Sequence, residues 1–169
     1  MVYYESKNDI IMATNESNKI SVLYIDDEVD NLNSFKATFR RSYRVYTAES
    51  ALKGKKILEE NDIEIILSDQ RMPEMTGVEF FASLIEEHND CMRILVTGYS
   101  DIKAVIDAIN LGQVYRYISK PWDNEDLKIV IEQASEVYRL RKENKRLMDN
   151  IIKVNSQLEF MLRQKLSQL

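Results

Sequence analysis

Four apolar runs in this chain each end on a polar side chain, and the stretches between them repeat apolar residues at helical spacing. Residues 20–25 lead into Asp26 and Asp27, 63–68 into Asp69, 92–96 into Thr97, and 114–118 into Ser119, Lys120 and Pro121. A further short run, 43–47, follows the first helical stretch. The helical stretches are marked by Leu32, Phe35 and Phe39; by Leu52 and Leu58; by Val78, Phe81 and Ile85; by Ile102, Val105, Ile106 and Ile109; and by Leu127, Val130, Ile131 and Ala134. Regular alternation of strand and helix predicts an α/β fold, a parallel sheet covered by helices on both faces.

The composition of the runs orders the strands. Three are nearly continuous apolar segments, as strands buried on both faces require, whereas 43–47 and 114–118 carry Arg44 and Arg116 mid-run. Placing those two at the edges gives a flavodoxin-like, doubly wound five-stranded sheet of order 2-1-3-4-5. The strand order then reverses between strands one and three, and open sheets of this kind bind ligands in that crevice, outside the carboxyl ends of the strands. Asp26, Asp27 and Asp69 flank it.

Three carboxylates, a hydroxyl and an ammonium at one sheet edge suit Mg²⁺-assisted phosphorylation of an aspartate. A divalent cation offsets the repulsion among the carboxylates and the incoming phosphate. Phosphoryl transfer asks for little more than an in-line nucleophile and charge neutralisation. Each element alone has a plainer reading: Asp-Asp pairs often start helices, Thr-Gly is commonly a turn and Lys-Pro a loop. Their joint placement at strand ends favours a site.

Four motifs in order, Tyr24-Ile25-Asp26-Asp27-Glu28, Ser68-Asp69-Gln70-Arg71-Met72-Pro73-Glu74-Met75-Thr76-Gly77, Val96-Thr97-Gly98 and Tyr117-Ile118-Ser119-Lys120-Pro121, give residues 19–136 their family likeness. This part of the chain resembles the receiver domain of two-component response regulators. The resemblance implies that Asp69 is the phosphoacceptor, served by a sensor histidine kinase or phosphotransfer protein. It implies Mg²⁺ bound by Asp27, Asp69 and the backbone carbonyl of Arg71, with Asp26 acting through a metal-bound water. Thr97 and Lys120 would contact the phosphoryl oxygens, Gly98 would leave room for a backbone N–H, and a cis Lys120-Pro121 bond would aim the ammonium into the site. Thr97 and Tyr117 would form the switch, and Arg71 and Tyr99 would tune the lifetime of the acyl phosphate. An aspartyl phosphatase is disfavoured, because such enzymes usually carry a second Asp where this chain has Arg71.

Single residues exclude other classes. Cys91 is the one cysteine, so no internal disulfide framework exists, and it is expected to pack near the start of strand four. His88, the one histidine, sits in the polar segment 86–90 and reads as a solvated side chain, so the phosphodonor must come from another protein. No run is long enough to span a bilayer, and residues 1–18 read as a polar arm without a signal-peptide pattern. A cytoplasmic signalling protein is the expectation.

From Asp123 to the last residue there is neither Gly nor Pro, so the fifth helix can run on well past the sheet. Val137, Leu140, Asn144, Leu147, Ile151, Val154, Leu158 and Met161 recur in alternating steps of three and four, the seam of a coiled coil. Beyond Leu158 the apolar residues shift register. Residues 137–169 are thus expected to dimerise in parallel or to link the receiver to an output domain. Eight Lys/Arg against three Asp/Glu put +5 on this segment of a chain whose net charge is −5. The basic residues are interleaved with the seam rather than grouped ahead of it, which reads as a solvated coiled-coil face and not as a nucleic-acid-binding arm. Two readings of the whole stay open: a phosphorylated switch acting through its helix, or a phosphate sink or adaptor with no separate output. Neither is itself an enzyme, and any enzymatic output would lie outside these residues.

Overall fold

The computed structural model describes residues 19–86, 90–98, 102–110 and 113–167. Strands β1 (Ser21–Ile25), β2 (Arg44–Ala48), β3 (Ile65–Asp69), β4 (Met92–Thr97) and β5 (Arg116–Ser119) alternate with helices α1 (Val29–Phe39), α2 (Ala51–Glu60), α3 (Gly77–Ser83), α4 (Ile102–Asn110) and α5 (Asn124–Leu166). All pairings are parallel and the order is β2-β1-β3-β4-β5, as expected from the composition of the strands.

Alternate residues of the central strands feed two cores. Val22, Tyr24, Ile65, Leu67 and Ile94 pack with α1 and α5 through Phe35, Leu127, Ile131 and Ala134. Leu23, Ile25, Ile66 and Leu95 face α2, α3 and α4 through Leu58, Phe80, Phe81 and Val105. This period of two explains why β1, β3 and β4 are buried along their whole length, while β2 and β5 are open at the edges. Arg93 is a notable resident of β4: it is buried, and its Nε donates to the Gln113 carbonyl at 2.8 Å.

Some expected helix faces differ. Leu52 is 80% exposed, because α2 packs through Gly54 and Leu58 instead. A Cβ on Gly54 would lie 2.5 Å from Ile25 Cδ1, so the helix packs so close to β1 that any larger residue would have to displace the Ile25 side chain. Ile106 is likewise exposed, with Val105 and Ala108 turned inward. Helix α3 is shorter than the apolar spacing through Ile85 suggests: Leu84 and Ile85 donate three residues back, to Phe81 and Ala82, which tightens the end of the helix.

Helix α5 runs 43 residues, started by Asp123, whose side chain accepts from the N–H groups of Glu125 and Asp126. Its sheet-facing contacts extend beyond Ala134, the last core residue expected from sequence. Tyr138 is buried, Val137 is partly buried against the same core, and Ser135 Oγ donates to Glu64 at 2.9 Å. Lys142 pairs with Asp62 at 3.4 Å and Lys145 with Asp90 at 3.2 Å, at the end of the sheet where the strands begin. Past Lys145 the helix leaves the domain. Among the described residues, no helix is long and apolar enough to cross a membrane.

Candidate functional site

The strand ends place the expected polar groups together because parallel strands present all their carboxyl ends at one edge. Asp69 closes β3, Thr97 closes β4, Asp26 follows β1 and Lys120 follows β5. The main chain extends the sheet past these ends: Asp26 N–H donates to Ala48 O at 3.1 Å, Gln70 N–H to Val96 O at 2.8 Å and Lys120 N–H to Thr97 O at 2.8 Å. Each functional residue is therefore held by its own backbone. The Lys120-Pro121 bond is cis, as anticipated.

The Lys120 ammonium joins the two buried aspartates, 2.8 Å from Asp26 Oδ2 and 2.5 Å from Asp69 Oδ1. The other Asp69 oxygen accepts the Arg71 N–H at 2.6 Å. Asp26, completely buried, also accepts from the Glu28 N–H at 2.9 Å, from Asn31 Nδ2 on both its oxygens at 3.1 and 3.2 Å, and from the Tyr24 hydroxyl at 2.5 Å. Asp27 is exposed beside it.

These surroundings drive the two carboxyls apart. At Asp26 burial opposes ionisation, but the hydrogen bonds from Lys120, Tyr24 and the Glu28 N–H outweigh it and hold the group below its ordinary value. At Asp69 burial prevails over Lys120 and the Arg71 N–H, and the neighbouring Asp26 charge adds to it, so this carboxyl titrates above its ordinary value. Burial works against the Lys120 ammonium too, yet its bonds to both aspartates keep it more basic than a free lysine.

Thr97 is buried with its Oγ1 donating to Gly98 O at 3.0 Å, and Tyr117 stands 43% exposed on the edge strand. A Cβ on Gly98 would meet nothing within 4 Å, so this position needs no glycine for the protein's own packing. Gly77 does: a Cβ there would sit 2.4 Å from Asp69 O and 2.7 Å from Leu95 Cδ1. Tyr99 and His88, like residues 1–18, lie outside the described residues. Cys91 packs near the start of β4, its Sγ 3.0 Å from Ile63 O and its thiol pushed up to about 11 by burial.

The donor set fits a hard divalent cation in kind, since Mg²⁺ is usually held by one or two carboxylates and keeps several waters. Asp27 and Asp69 supply such oxygens. Asp26, expected to join them through a water, has its oxygens engaged by four protein groups, and among the described residues no three acidic, His or Cys side chains converge into a metal cluster. Sequence reading also missed Asn31 and gave Tyr24 no part. Asn31 lies five residues after Asp26, in the first turn of α1, and only the way α1 folds back over β1 brings its amide to the carboxylate.

Residues 22–132 match the family described as response regulator receiver domain. Similar proteins include the hydrogenase transcriptional regulatory protein HoxA of Bradyrhizobium diazoefficiens, 34% identical over 123 residues that make up 73% of this chain and 25% of that protein. The HoxA protein of Cupriavidus necator is 35% identical over 127 residues, 75% of this chain and 26% of that one. The chain thus spans about a quarter of the length of these relatives. A response regulator receiver domain protein from Clostridium thermocellum superposes with a TM-score of 0.68 at 29% identity, covering 72% of this chain and 98% of that one. An uncharacterised protein from Neptuniibacter caesariensis does so at 0.70 and 36%, covering 74% and 93%. On its strand order, its sheet-edge residues and these matches, the chain belongs to the receiver domains of two-component response regulators.

Proposed function

We propose that Asp69 accepts a phosphoryl group from the phosphohistidine of a sensor histidine kinase or phosphotransfer protein, and that α5 carries the change onward. The observation that carries this reading is the ammonium of Lys120 set against Asp69 at the end of a buried strand. A cation at that point neutralises charge on the transferred group and costs no reorganisation as it arrives. Asp27, Asp69 and the Arg71 carbonyl would hold Mg²⁺, with Asp26 one step removed; when bound, the cation adds to the charge neutralisation that Lys120 provides. Thr97 Oγ1 would exchange Gly98 O for a phosphoryl oxygen, and Tyr117, half exposed on the neighbouring strand β5, would turn inward in response. Arg71 and Tyr99 would set access of water to the acyl phosphate.

Residues 140–161 would form a parallel two-stranded coiled coil; Val137, expected to open the seam, packs instead against the receiver core. Leu140, Leu147, Ile151, Val154, Leu158 and Met161 are 49 to 63% exposed, an apolar stripe that a second copy would cover. Asn144 falls at a seam position, where its amide pairs with its symmetry mate only if the helices are parallel and in register. The receiver would then set the angle at which two such helices enter the seam.

A small acyl phosphate with Mg²⁺ should add one phosphoryl group by intact mass, EDTA should prevent it, and Asp69→Asn should remain unlabelled. Efficient labelling of Asp69→Asn at another residue would overturn the assignment.

A further inference from the structure

Tyr24 belongs to no group that contacts the transferred phosphoryl in the reading above, yet it is fully buried and spends its one hydroxyl on Asp26. Its ring is held on two sides, by Phe35 of α1 with centroids 4.8 Å apart and by the edge of Trp122 at 6.0 Å. The phenol is thereby fixed in direction, and its partner among the described residues is the Asp26 oxygen that also receives Lys120 and the Asn31 amide. An oxygen that serves several donors holds each less tightly than one that serves a single donor.

We infer that Tyr24 is a positioning residue of the phosphoacceptor site: its hydroxyl, with the Asn31 amide, moderates the pull of Asp26 on Lys120, so that the ammonium stays shared with Asp69. The inference rests on the assignment of Asp69 as phosphoacceptor. Without the phenol O–H, Asp26 draws Lys120 toward itself and away from Asp69. It also presents a less satisfied carboxylate to any cation entering the crevice. Those two consequences run in opposite directions, which a loss of packing does not produce: loosening the fold weakens cation binding and chemistry together.

Trp122, the chain's single tryptophan, touches the Tyr24 ring and lines a small cleft with Asn31, Lys120 and Pro121, so its fluorescence supplies a binding readout separate from chemistry. The test compares the full chain with Tyr24→Phe, which keeps the ring, and with Asn31→Ala, which removes the companion donor and stands in if the first variant folds poorly. Mg²⁺ alone is titrated by Trp122 fluorescence, and the phosphorylation rate is then measured with a small acyl phosphate at saturating Mg²⁺. Tyr24→Phe should bind Mg²⁺ about threefold more tightly and phosphorylate about tenfold more slowly, the size expected for one hydrogen bond to a charged group, and Asn31→Ala should move both in the same directions. Parent-like behaviour in both variants, or weaker binding together with slower phosphorylation, overturns the role of Tyr24 and leaves Asp69 untouched. A parent that takes up no phosphate at Asp69 overturns both readings.

Discussion

The sheet edge and the far half of α5 contrast in how their side chains are held. At the edge, Asp26, Asp69 and Thr97 are buried, and each is fixed by the backbone of the strand it ends and by named partners. Beyond Lys145, Leu147, Met148, Ile151 and Ile152 lie about half or more in solvent along the helix. The first region is specified from within the domain. The second presents apolar surface that the described residues of the domain leave uncovered, and the domain's contacts along α5 reach Lys145, beyond the boundary at residue 136 expected from sequence.

The sharpest way to break this contrast is to move the cut. Ending the chain after Ser135 removes Tyr138 and the half-buried Val137, and urea unfolding should show a loss of about 3 kcal/mol, comparable to deleting a large buried side chain. Ending it after Arg146 should leave stability within about 0.5 kcal/mol of the parent monomer's. If both truncations are equally stable, the docked segment contributes nothing and the boundary belongs at residue 136, where the sequence puts it. Light scattering coupled to size exclusion should report monomers for both and a dimer for the full chain.

The two aspartates give a second test. Because folding lowers the Asp26 value, its contribution is present above the unfolded value of about 3.9 and is lost as pH falls through the lower folded one. Asp26→Asn should therefore cost about 2 kcal/mol at neutral pH, with the gap closing in acid. Asp69 has the opposite sign: folding raises its value, its ionised form is disfavoured in the native state, and acidification relieves it. Asp69→Asn should then change stability at neutral pH by less than about 1 kcal/mol, in either direction, since relief of burial is set against a weaker bond to Lys120. Lys120, raised on folding, stabilises fully below its unfolded value of about 10.4 and loses that contribution as pH rises through the folded value. Equal losses for both Asn variants at neutral pH would remove the distinction.

A smaller effect is expected in the seam. Asn144→Leu should raise the melting temperature of the dimer by a few degrees, about 1 kcal/mol, and broaden the set of oligomers seen by light scattering. A single, unchanged oligomer would place Asn144 outside the seam. Smallest of all, Lys145→Ala, which breaks an exposed pair with Asp90, should shift stability by less than about 0.5 kcal/mol and less still at high salt.

The strand order was legible, although by a criterion that needs care. Arg44 and Arg116 do mark the edge strands, yet Arg93 is buried in β4, so an arginine alone does not make an edge. Its guanidinium stays inside because the Gln113 carbonyl receives it, a partner brought by the chain leading into β5. Leu52 misled in the reverse sense: large apolar residues dominate a periodicity, whereas the buried face of α2 is carried partly by Gly54, whose fitness for that face is its lack of a side chain.

Local order in the chain determined which residues meet at the edge. A parallel sheet brings every strand's carboxyl end to the same side, so Asp26, Asp69, Thr97 and Lys120 were placed by their positions after apolar runs alone. What those groups do to one another was decided only by the tertiary structure. The bridge from Lys120 to two aspartates, the engagement of Asp26 by Asn31, and the reach of α5 to Asp62 and Asp90 join residues that no spacing connects. Periodicity records which face of an element is apolar, whereas hydrogen bonds and ion pairs depend on distances of a few ångströms that are set once the elements have packed.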